Sequence, residues 1–105
     1  MPTTPKTLFR GAATTTVTTN LYTVPSATTA VITSIAVTNT AGSAGTFTLS
    51  LGTAASEVAL HTTAAIAANT TVYIDCKQVL DATQVIDGGA SATTINFHIA
   101  GVEIS

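Results

Sequence analysis

The stretch AVITSIAVTNTAGSAGTFTLSLG, residues Ala30 to Gly52, decides how this chain is read. It is long enough to cross a bilayer, but Thr, Ser, Asn and Gly interrupt it every second or third residue. Nothing in it approaches the roughly 18 consecutive apolar residues of a membrane helix. Its order is that of strands. From Val31, the odd positions Val31, Thr33, Ile35 and Val37 make a mostly apolar face, while Ile32, Ser34, Ala36 and Thr38 point the other way. Phe47, Leu49 and Leu51 then alternate with Thr46, Thr48 and Ser50. Such a period of two marks half-buried strands of an antiparallel sheet. The segment NTAGSAG, Asn39 to Gly45, is expected to join the two strands as a hairpin loop.

The same alternation recurs further along. Val72, Ile74 and Cys76 alternate with Thr71, Tyr73 and Asp75, and Ile95, Phe97 and Ile99 alternate with Asn96, His98 and Ala100. A weaker strand is expected at Glu57 to His61, and Lys77 to Ala82 reads as strand, turn or one helical turn. Pro25-Ser26 and Asp87-Gly88-Gly89 read as turns. The apolar parity changes after Gly101, from Phe97 and Ile99 to Val102 and Ile104, which predicts a bulge near Ala100-Gly101. Seven or eight such strands predict an all-β fold, a single antiparallel β-sandwich or jelly-roll-like domain over residues 12–105. Residues 1–11 are expected to form an extended N-terminal arm, because Pro2 and Pro5 favour open backbone. Leu8, Phe9 and Arg10 of this arm are the candidate contact with a neighbouring subunit; the alternative is a tail folded back on its own core.

Composition limits what the domain can do. The chain has 105 residues, enough for one modest core. Its hydrophobic fraction of 46% is ordinary, but only 8% of residues are charged, against roughly 25% in a typical soluble domain. No charge occurs between Gly11 and Ser56. Threonine, at 24 residues, takes over the outer positions; it is β-branched and keeps a strand wettable without charge. A net charge of -2 and a mean hydropathy of +0.50 argue against disorder. Three basic residues make no phosphate-binding patch, so nucleic acid is not an expected partner. The start MPTTPKTLFRG has no apolar core of signal-peptide length, and neither a signal peptide nor membrane insertion is expected.

The chemical candidates are few. His61 and His98 are not at metal-ligand spacing, and the five carboxylates are scattered. Cys76 shares the parity of Val72 and Ile74 and reads as a small core residue. Asp87 before two glycines reads as a turn residue, not a calcium ligand. No nucleophile elbow or phosphate loop is present. The expectation is a protein without catalytic residues, metal or cofactor.

Three stretches carry a resemblance. NLYTVPSATTAVITSIAVTNT (Asn20 to Thr40), TFTLSL (Thr46 to Leu51) and INFHIAGVEIS (Ile95 to Ser105) resemble small structural proteins of tailed bacteriophage particles, while Thr53 to Asn69 departs from them. The shared features are Leu21-Tyr22-Thr23-Val24-Pro25, a Thr/Val-rich strand ending in Asn39, and a Gly before the last apolar-acidic-apolar step. The resemblance implies a virion component made in the host cytoplasm, found on heads or tails, with no catalytic motif. The function expected from it is a capsid decoration or cement subunit. Its partners would be the major capsid protein and further copies of itself, as in a trimer. Low charge fits this, since a subunit permanently covered by neighbours has less need of charged edges. The alternative is a tail or head-fibre module contacting host glycan or protein through loops, for which aromatic residues are scarce.

Overall fold

β-branched and aromatic residues at every second position drive this chain into strands, and the structure, a computed structural model describing residues 3–53, 56–74 and 77–105, has no helix among them. The strands are β1 (Thr3–Ala12), β2 (Asn20–Thr23), β3 (Thr29–Asn39), β4 (Gly45–Gly52), β5 (Val58–Ile66), β6 (Thr70–Ile74), β7 (Gln78–Leu80), β8 (Val85–Ala90) and β9 (Ile95–Ile104). One sheet has the order β1-β9-β3-β6 with β7 also on β3; the other has the order β2-β8-β4-β5, and all pairs are antiparallel. With β7 set aside, first pairs with last, second with second-last, and so inward to β4 and β5. That is one long hairpin rolled into a two-sheet sandwich, the jelly-roll arrangement.

Rolling changes the meaning of a loop. The segment after Asn39 is not a hairpin: β3 and β4 lie in different sheets, and the loop crosses from one to the other. Asn39 is buried at its root and replaces the missing ladder bonds. Its Nδ2 donates to the carbonyls of Ser43 and Ala67 at 2.9 and 3.3 Å, and its Oδ1 accepts from the Ala41 N–H at 3.0 Å. One side chain thus ties together the β3–β4 and β5–β6 connections.

The core lies between the sheets, with Phe97, Ile32, Ile35, Leu49, Ile86 and Ile99 among its fully buried side chains. The expected phase of β3 holds only in its second half. Ile35 and Val37 point inward, but so does Ile32, while Val31 is half-buried on the outer face and Thr33 is exposed. The register slips between Ile32 and Ser34, opposite Gly101 and Ala100, so Thr33 is an extra residue. On the other flank of β9 the register slips again, between Thr7 and Phe9 opposite Ala100 and Ile99. The irregularity expected near Ala100-Gly101 is at that level, but the extra residues are on the two neighbours and β9 itself runs through.

The β1 bulge turns both Leu8 and Phe9 inward, Leu8 at 6% exposure and Phe9 partly buried against the core. The expected boundary between residues 11 and 12 therefore does not occur. β1 runs through it as an integral edge strand paired with β9 along its length. A clamp across the sheets secures it: Tyr22 on β2 donates its hydroxyl to Glu103 Oε2 on β9, and Lys6 Nζ on β1 lies 3.4 Å from the same oxygen. Burial, then Glu103, raises the Tyr22 phenol well above its ordinary value, so it stays a donor.

Asp87-Gly88-Gly89 is not a turn but the middle of β8, buried on both faces. The glycine signal here means close approach: a Cβ on Gly89 would lie 2.4 Å from the Thr16 carbonyl oxygen. The loop carrying Thr16 extends β2 alongside β8, accepting the N–H groups of Gly88 and Ala90 at Thr19 and Thr14 carbonyls. The Thr14 and Thr19 hydroxyls, 2.6 Å apart, both donate or bridge within it, so threonine here serves as loop structure. Asp75 and Cys76, and with them the expected core role of Cys76, lie outside the described residues. Among the described residues, no helix is long and apolar enough to cross a membrane.

Gly101 makes the tightest approach. A Cβ there would sit 2.2 Å from the Val31 carbonyl oxygen and 3.0 Å from Leu8 Cδ1. Gly101→Ala is expected to cost about 2 kcal/mol or more in urea unfolding, the range of overpacked cores, whereas Gly42→Ala, with open space around it, should stay within about 0.5 kcal/mol.

Candidate interaction surface

The two histidines lie on different sheets. His98 is exposed on the outer face of the β1-containing sheet, and His61 is half-buried on β5 of the other sheet, with its ring 5.7 Å from that of Phe47. Among the described residues no three His, Cys, Asp or Glu side chains cluster as metal ligands. A close acidic pair among the described residues was invisible in the sequence. Asp87 faces outward from β8, level with Ser50 of β4 and Asn20 of β2, and Glu57 hydrogen-bonds its carboxyl. Asp87 Oδ1 is buried without a partner among the described residues. Burial, then Glu57, pushes the Asp87 carboxyl up to about 6. Residues 30 positions apart meet here only because β4, β5 and β8 share a sheet.

Of the three expected contact residues, Leu8 is spent on the chain's own core and Phe9 is largely so, leaving Arg10 exposed. Arg10 belongs to a surface that only the strand registers disclose. Tyr73 pairs with Ala36, Ala36 with His98 and His98 with Arg10, one row running straight across the outer face from β6 to β1. A second row joins Val79, Val31, Val102 and Pro5 across β7, β3, β9 and β1. Tyr73 and Val79 are 80% and 61% exposed. The outward side chains of these two rows include one charge, Arg10. The four-strand face spans roughly 19 Å by 30 Å at ordinary strand spacing and rise.

Beside it the sandwich opens. A groove of about 210 Å³ separates the edges β5 and β7, walled by Leu51, Val58, Leu60, Val79 and Leu80, with Gln78 and Gln84 as polar groups. Val58 is 73% exposed at its rim. The strand edges themselves are defended, contrary to what low charge suggests. β1 carries Pro5, Lys6 and Arg10, the register of β5 against β4 is interrupted twice, and β2 and β6 have only four and five residues. Strand addition at these edges is therefore blunted, and side-chain surfaces are left as the means of contact.

The molecule so defined is a jelly-roll sandwich with a filled apolar interior and an outer face that is poor in charge. No protein-family model, curated protein or solved structure matches this chain.

The Glu57–Asp87 pair imposes a pH dependence. A carboxyl at about 6 in the folded chain, against an ordinary 3.8, holds its proton to higher pH than the unfolded chain does. Its contribution to stability is present below the unfolded value and is lost as pH rises through about 6. Asp87→Asn, which mimics the protonated form, should raise the thermal midpoint at pH 7 and flatten its decline between pH 4 and 7. A wild-type midpoint that climbs with pH across that window, or a variant with an unchanged slope, contradicts the assignment.

Proposed function

We propose that this chain is a non-enzymatic structural subunit of a tailed-phage particle, a decoration or cement protein that binds the major capsid protein and buries surface across subunit boundaries. The observation that carries the reading is the exposed apolar flank: Val58, Val79 and Tyr73 border one groove and one sheet face poor in charge on a chain that is otherwise well packed. Free monomers seldom leave such surface to water, and covered subunits bury it. The resemblance of Asn20 to Thr40 and of the C-terminal strand to phage structural proteins points the same way. Jelly rolls serve as viral capsid and lectin domains, a fold-level analogy that fits a particle protein. The host-binding alternative is weakened by Tyr22, whose ring is in the core, leaving Tyr73 as the exposed tyrosine.

In this reading, the groove between β5 and β7 seats an apolar side chain of the capsid shell. A charge at its rim must then be buried without a partner. Val58→Asp should leave the thermal midpoint of the isolated chain nearly unchanged and lower its occupancy on capsids at least tenfold, measured by co-sedimentation with particles lacking the wild-type protein. Wild-type particles should carry hundreds of copies. A few copies at one vertex, or full occupancy by the Val58→Asp variant, would remove the decoration reading.

A further inference from the structure

The two rows on the outer face of the β1-containing sheet have an order that suits one particular occupant. In the first, Tyr73 and Arg10 stand at opposite ends with Ala36 and His98 between them. In the second, Val79 and Pro5 stand at opposite ends of Val31 and Val102. A two-fold axis parallel to the strands, lying over the seam between β3 and β9, exchanges the two edges of the sheet and keeps each residue in its row. A second copy related by that axis lays its β1 over β6 and β7, and its β9 over β3.

We propose that this face pairs with the same face of a second copy of the chain, as a two-fold dimer of sandwiches held by two reciprocal Arg10–Tyr73 contacts. The complementarity is specific to this axis. Each Tyr73 ring meets the partner's Arg10, a guanidinium over an aromatic face. Val31 meets the partner's Val102, and Val79 meets the partner's Pro5, so apolar side chains meet apolar ones along the second row. The two Arg10 side chains lie three strand spacings apart laterally, about 14 Å, beyond the screening length at physiological salt. Sheets stack about 10 Å apart at a shallow angle, a gap that Arg and Tyr span from opposite sides. The face projects on the order of 600 Å², against the roughly 800 Å² per partner of a standard interface. Edge pairing, the other route to a β dimer, is blunted by Pro5 and Lys6 on β1 and by the irregular register of β5.

This inference names the partner of one part of the surface invoked above, but it does not require a capsid. Sedimentation equilibrium of the full chain, with no particle present, tests it alone. The expected result is a reversible monomer–dimer equilibrium. Arg10→Ala and Tyr73→Ala should each weaken it at least tenfold without lowering the thermal midpoint of the dilute monomer, because both side chains are exposed. The exchange variant Arg10→Tyr/Tyr73→Arg rebuilds the contact with its members swapped and should recover association to within about threefold. Val58→Asp, outside the face, should leave it unchanged. A monomer at all concentrations up to about 1 mM overturns the proposal, as does a trimer, a dimer indifferent to both single variants, or an exchange variant no better than the singles. Capsid binding that fails while the dimer persists counts against the decoration role instead.

Discussion

Everything about this sandwich depends on how closely β9 is approached at Gly101. With no side chain there, the Val31 carbonyl presses in to a distance that any Cβ would forbid and Leu8 packs tightly beside it, and both neighbouring strands slip by one residue at that level. The slip in β1 lets the adjacent Leu8 and Phe9 both face the core. The slip in β3 sends Ile32 inward and Val31 outward. Since a one-residue change of register exchanges the faces of a strand, the same contact that closes the core composes the outer surface. Without it, Val31 would be interior and the apolar row from Val79 to Pro5 would be broken.

A chain with so little charge must keep its backbone paired and its edges unattractive by other means. Rolling one long hairpin pairs the chain's two ends, so β1 is held by β9 and clamped by the Tyr22–Glu103–Lys6 contacts. Threonine hydroxyls bond one another or nearby carbonyls, as between Thr38 and Thr71 at 3.0 Å and from Thr40 to the Thr94 carbonyl at 2.7 Å. Pro5, an irregular register and short strands protect the edges. What this leaves unprotected is a face and a groove, and their apolar character is the physical basis for reading the protein as a subunit with neighbours.

Much of the fold was legible locally. The alternations at Phe47 to Leu51 and at Ile95 to Ile99 are those of the structure, because cross-strand packing imposes a period of two on any strand with one buried face. The misreadings share a cause, which is that their meaning lies in distant residues. Gly88-Gly89 has the composition of a turn, and only the approach of Leu49 and the Thr48 carbonyl to Gly88 and of Thr16 to Gly89 makes it a strand that needs bare backbone. NTAGSAG has the composition of a hairpin, and only the sheet assignment of β3 and β4 makes it a crossing. Leu8 and Phe9 look like an arm because their partners are some ninety residues away on β9. The candidate surface was still less visible. Its rows run across four strands, so no local window contains Tyr73 and Arg10 together, and of the expected contact residues only Arg10 takes part.

The proposed particle role requires that the outer face of β1, β9, β3 and β6, with Tyr73 and Val79 at its margin, be covered by protein. Hydroxyl-radical footprinting resolves the solvent exposure of single side chains and can be run on the isolated chain at high dilution and on intact particles. Tyr73 and Val79, oxidised readily in the dilute chain, are expected to become strongly protected in the particle, while the exposed Val17, away from this face, is oxidised equally in both. Equal oxidation of Tyr73 and Val79 in the two states would contradict that role.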